Sequence, residues 1–187
     1  MKNFFKYSLL FFFISMICNV SFGQIYKGEN DIYLYLKGYQ KDYTLLGRNA
    51  LCSYQVAEGI LDIRIPLEKF KSLDSLDGQQ YLLDEFEEDL YPDLNIKTVI
   101  PAGVIDKSSD KIQRFSVTAD VIMGDVTLHV PITVDIAFID KNMFLDFTFQ
   151  ITHKGLDVKI PEKYNKLLTG VIQFSMLNGK LQTSAYK

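Results

Sequence analysis

Residues Asp125 to Ile139 alternate between apolar and polar side chains. Val126, Leu128, Val130, Ile132, Val134, Ile136 and Phe138 take one phase; Asp125, Thr127, His129, Pro131, Thr133, Asp135 and Ala137 take the other. Seven apolar residues at period two describe a strand with one dry face and one wet face. A helix would spread the same residues around its circumference. Pro131 has no N–H to give to a neighbouring strand, so the pattern predicts a bend or bulge near it.

Other segments repeat the pattern. Phe115, Val117, Ala119 and Val121 alternate with Ser116, Thr118 and Asp120; Leu145, Phe147, Phe149 and Ile151 alternate with Asp146, Thr148 and Gln150. Ile32, Leu34 and Leu36 form a shorter run, as do Cys52, Tyr54 and Val56, and then Leu61, Ile63 and Ile65. Leu94–Ile100 and Val171–Leu177 bring the expected number of strands to about eight. Gly38, Gly47, Gly59, Gly124, Gly155, Gly170 and Gly179 are expected at the ends of these runs. Ala57-Glu58-Gly59, Met123-Gly124-Asp125 and Asp140-Lys141-Asn142 are expected hairpin connections. Short links between consecutive strands imply antiparallel pairing. One stretch departs from period two. Gln79 to Leu90 places Leu82, Leu83, Phe86 and Leu90 on one helical face, ended by Tyr91-Pro92. A second short helical turn is expected within Pro161–Leu168. The chain is therefore expected to be all-β with one helical insertion. Its strands would split into a sandwich or close into a barrel, and near-continuous hairpin order favours an up-and-down barrel. About eight strands enclose an interior that side chains can fill, or that can hold one small ligand.

The N-terminus reads differently. Lys2 and Lys6 precede an apolar run from Leu9 to Cys18, and Ser21-Phe22-Gly23 follows before Gln24. A basic start, about ten apolar residues and a short polar exit describe a secretory signal peptide. The run is too short for a membrane span, which needs roughly 20 residues. The expected division is thus a leader over 1–23 and one domain over 24–187. The alternative of a lipid anchor would use Cys18, but Ile17 stands where lipidation normally requires a small residue. Without Lys2 and Lys6 the 20 basic residues become 18, against 23 acidic ones, a net charge of −5. That balance argues against nucleic acid and against docking on anionic lipid, and no further stretch is long and apolar enough to insert stably in a membrane. Cys52 is then the one remaining cysteine, which leaves no internal disulfide.

A search for reactive groups finds little. His129 and His153 are the only histidines. His129 shares a strand face with Asp125 and Thr127, which permits an Asp-Thr-His cluster, but the polar phase is expected to be a solvated outer wall. No zinc spacing, phosphate loop or nucleophile elbow occurs. Asp84 to Asp89 is an acidic run without the glycine of a calcium loop, expected as a solvated helix face. Cys52 is in phase with Tyr54 and Val56 and is expected to be buried. Neither a catalytic residue, a metal ligand nor a cofactor is assigned.

The order of segments resembles the YceI-like family of exported bacterial proteins over nearly the whole mature chain. Gly59-Ile60-Leu61-Asp62-Ile63-Arg64-Ile65-Pro66-Leu67-Glu68-Lys69-Phe70 is similar to the family's strand leading into a helical excursion. Glu85-Phe86 followed by Leu90-Tyr91-Pro92 looks like its helix and Tyr-Pro stop. Phe115-Ser116-Val117-Thr118-Ala119-Asp120-Val121 is similar to its Val-x-Gly-Asp-Leu strand, and Asp157-Val158-Lys159-Ile160-Pro161 to the segment before its last strand. One departure stands out. Where the family commonly shows His-Gly-Val-Thr, this chain has Gly124-Asp125-Val126-Thr127, so no role of that histidine carries over. The resemblance implies an eight-stranded antiparallel lipocalin-like barrel holding an apolar ligand, a long isoprenoid or other fatty lipid, in a tunnel. The in-phase residues Phe115, Val117, Val121, Leu128, Val130, Ile132, Val134, Ile136, Phe147, Phe149 and Ile151 would line it. The residues leave two other readings open. One is an interaction module with a filled barrel and an adhesive patch of Tyr33, Tyr35, Tyr39 and Tyr43. The other is a hydrolase or isomerase built on His129 and Asp125.

Overall fold

A computed structural model describes residues 24–73, 93–155, 162–164 and 166–184. The leader and the helix expected over Gln79–Leu90, with its acidic run, lie outside these residues. Among the described residues nine strands are present: β1 (Ile25–Gly38), β2 (Tyr43–Gln55), β3 (Ile60–Pro66), β4 (Phe70–Ser72), β5 (Asp93–Val99), β6 (Gln113–Met123), β7 (Val126–Ile139), β8 (Asn142–Thr152) and β9 (Leu168–Ser184). Every pairing is antiparallel. Neighbours run β1-β2-β3-β5-β6-β7-β8-β9, and β9 returns to β1, so eight strands close an up-and-down barrel. The second helical turn expected from the sequence is a single 3-10 turn, Glu162–Tyr164.

The ninth strand, β4, continues β3. A 3-10 turn at Leu67–Lys69 interrupts that strand, and Phe70–Ser72 then resumes pairing with the early part of β2. Gly47 was expected at a strand end, but it lies inside β2. A Cβ there would strike the Phe70 ring, so the glycine makes room for β4. Gly179 likewise lies inside β9. The three expected hairpins all occur. Gly59 and Gly124 supply positive φ at two of them, while Asp140 and Lys141 both adopt positive φ at the third, the geometry that matches strand twist in a two-residue turn.

We call the end carrying the β2–β3 and β7–β8 hairpins the upper end, and the opposite end the lower. The inner faces form one continuous apolar core from end to end. At the upper end the Tyr26 ring packs edge-on against Phe138 at 5.6 Å, and the buried Tyr54 hydroxyl donates to the Ile100 carbonyl at 2.8 Å. The outer wall carries the charges. Arg114 grips Asp135 with two hydrogen bonds of 2.8 and 2.7 Å.

Candidate functional site

The eleven residues read from the sequence as tunnel-lining belong to β6, β7 and β8, and the cross-strand register places them on one face. Phe115 is opposite Val134, Val117 opposite Ile132, Val121 opposite Leu128, and Val134 opposite Phe147. Val121, Val130, Ile132, Val134, Ile136, Phe147, Phe149 and Ile151 are buried in the core; Phe115, Val117 and Leu128 are half-buried at its margin. Sequence reasoning missed the matching wall from β1, β2, β3, β5 and β9. Leu34, Leu45, Ile63, Ile96, Phe174 and Met176 complete that surface.

The aromatic residues give this interior its shape. Phe149 stacks on Phe174 with ring centres 5.0 Å apart and planes 5° from parallel, and Phe147 lies 6.2 Å further along. Phe149 and Phe174 are cross-strand neighbours. The stack therefore runs along the wall rather than bridging the barrel axis.

Polar groups inside are few and mostly bonded within the wall. The buried Thr98 hydroxyl donates to the Thr118 carbonyl at 2.8 Å. Among the described residues the one buried side-chain polar atom without a partner is Asn30 Nδ2; the Asn30 oxygen accepts the Lys180 N–H at 2.7 Å. Cys52 lies with its sulfur 3.8 Å from the Met176 sulfur. Burial pushes the Cys52 thiol up from 9.0 to about 12, because a thiolate there would lose its hydration. Native protein should therefore resist iodoacetamide at pH 8 and react fully once unfolded in guanidinium; rapid native labelling would contradict the burial. The unfolded chain ionises first as pH rises, so this residue's contribution to stability is present below pH 9.0 and falls away toward about pH 12.

The polar candidates do not assemble a reactive site. His129 is exposed on the outer wall, and its Nδ1 lies 2.7 Å from Asp120, its cross-strand neighbour, rather than joining Asp125. His153 sits in the turn after β8 with Nδ1 3.1 Å from the Gly170 carbonyl. No cluster of three or more metal-ligating residues occurs among the described residues. The expected tyrosine patch divides. Tyr33 and Tyr35 stack at 6.3 Å on the outer wall, Tyr39 is exposed, and Tyr43 is buried in the core.

What fold and site define is a closed antiparallel barrel whose inner wall offers apolar contact and almost no polar chemistry. No protein-family model matches the chain, and no curated protein matches it in sequence. Solved structures match it in shape. One is a polyisoprenoid binding domain from Saccharophagus degradans implicated in plant cell wall breakdown. It is 9% identical, with a TM-score of 0.69 over 86% of this chain and 98% of that one. Another is Burkholderia cenocepacia BcnA, 16% identical, with a TM-score of 0.57 over 81% of this chain and 96% of that one. At these identities the likeness is one of fold. The chain has the YceI-like barrel fold that its sequence resembles.

Proposed function

We propose that this protein is an exported carrier or store for one long apolar molecule, an isoprenoid or another lipid, held inside the barrel. The observation that carries the reading is the continuous apolar inner wall, in a barrel that shares its fold with a polyisoprenoid binding domain. Each CH₂ taken from water into such a wall contributes about 0.8 kcal/mol. A chain of several isoprene units therefore gains many kcal/mol before ordering costs, without help from a catalytic or charged group. Phe115, Val117 and Leu128 at the margin, and the Phe147–Phe149–Phe174 stack within, are its main contacts. Export follows from the basic start and apolar run of residues 1–23 and puts the protein in the periplasm or outside the cell. The reading includes no catalytic step.

A second reading, an interaction module with a filled core, is favoured by the complete burial of Val121, Val134 and Ile136. One experiment separates the two. Protein purified from its native envelope is analysed by native mass spectrometry and by solvent extraction. A co-purifying apolar molecule, or uptake of added polyprenol at one per chain, is the expected result. Repeated absence of both leaves the filled core as the surviving reading.

A further inference from the structure

The barrel wall is not hydrogen-bonded all the way round. The ladder between β7 and β8 runs from Ile139 opposite Asn142 down to Thr133 opposite Thr148, and stops there. β7 continues down to Val126, and β8 continues to Thr152 on its own pairing with β9. No ladder pairing links Val126–Ile132 to Phe149–Thr152. Pro131 accounts for the stop. The Thr118 carbonyl, opposite Pro131, is bonded toward β5 by Thr98, so Thr118 and Pro131 turn their backbone groups away from each other. The Pro131 nitrogen therefore faces β8, where the next ladder bond, to Gln150, would need an N–H that proline lacks.

Behind this seam lie inward-facing Leu128 and Val130 on one side and Phe149 and Ile151 on the other. Among the described residues, the Leu128 side chain reaches its lower end, where its Cδ1 lies 3.3 Å from where a Cβ on Gly155 would stand. A second seam exists on the upper half of the wall, because β5 and β6 pair only through Asn95–Lys97 and Asp120–Ile122. That one is fastened. Thr98 bonds across it to Thr118, and Gln113 bonds both the N–H and the carbonyl of Asp106 at 2.7 Å, holding the loop that covers it.

We propose that the β7–β8 seam below Pro131 is the lateral portal through which an apolar chain enters and leaves the barrel, with Leu128 as its gate. Opening it parts no paired ladder of backbone hydrogen bonds, whereas parting any fully laddered strand pair would break several at once. A chain passing through lands directly on the Phe149–Phe174 stack. The proposal rests on the lipid-binding reading above and adds where the ligand crosses the wall.

The test is stopped-flow uptake and release of anthraniloyl-geranylgeraniol by the full mature chain. Leu128→Ala should speed uptake several-fold by removing the gate. Pro131→Val, on the outer wall, supplies the missing N–H and lets the ladder extend; it should slow uptake and release by the same several-fold, leaving affinity unchanged. Gln113→Ala, which loosens the other seam, should leave both rates as they were. Unaltered rates in the Leu128 and Pro131 variants, or faster exchange in the Gln113 variant alone, would overturn the portal while leaving lipid binding intact. Wild-type protein that takes up no probe would instead remove the lipid-binding reading on which the portal rests.

Discussion

Phe149→Ala should destabilise the ligand-free barrel by about 3–5 kcal/mol, the usual cost of removing a buried aromatic ring. In a domain of this size that is a fall in Tm of roughly 10 °C. The cost is set at the high end because Phe149 is wedged in a stack. Its ring lies 5.0 Å from Phe174 and 6.2 Å from Phe147, and it is 3% exposed. Alanine leaves both neighbours facing a void, and cross-strand aromatic pairs contribute beyond their buried area. The variant also separates the two functional readings. If the interior accepts an apolar chain, geranylgeraniol fills the void, and ligand at a hundred times its Kd restores about 2.7 kcal/mol. If the core is simply filled, the same addition leaves Tm where the mutation put it. Thermal unfolding by circular dichroism, with and without the alcohol, reads both effects.

The parts of this architecture that could be read from sequence are those where alternation is unbroken. β7 keeps one phase over its whole length, and its seven in-phase residues all face inward. β2 and β9 do not. In β2, Tyr43, Leu45 and Gly47 face in, but after Arg48 and Asn49 the inward residues are Ala50, Cys52 and Tyr54. Asn49 sits at φ 64, and this bulge shifts the phase by one. A period-two reading finds the second half and loses the first. β9 behaves likewise at Asn178, φ 56: Met176 faces in, then Leu181, and the stretch beyond Leu177 goes unrecognised as strand. The candidate site was half legible partly for the same reason, since β2 and β9 of the opposite wall are bulged; β3 and β5 alternate as regularly as β6, β7 and β8, and were read as strands without being assigned to the lining. The seam below Pro131 is a property of pairing between strands, which no single strand's pattern contains. The proline signalled a disturbance, but its partner and its side of the strand appear only in the register.

Gly28→Ala should be among the most damaging single-methyl changes in the described wall, costing about 4 kcal/mol or preventing folding. Gly28 belongs to the first strand and packs against the last, where the barrel closes. A Cβ on Gly28 would sit on the Lys180 carbonyl oxygen, well inside contact distance, and 3.3 Å from Asn30 Nδ2. Neither obstacle can give way cheaply. Lys180 is held on that same edge, because its N–H donates to the Asn30 oxygen at 2.7 Å in place of a regular ladder bond lost at the Asn178 bulge. Moving Lys180 to admit a methyl group therefore breaks that bond and strands a second polar atom beside the already unpartnered Asn30 nitrogen. The glycine at 28 is thus required by the bulge at 178, a hundred and fifty residues away. Gly103→Ala provides the comparison, since a Cβ there meets nothing within 4 Å. Its midpoint in urea should match the unaltered protein to within about 0.5 kcal/mol. If Gly28→Ala unfolded at the same urea concentration as Gly103→Ala, the close approach of β1 to β9 would not be what closes the barrel, and the first and last strands would have to meet by a looser contact than their register describes.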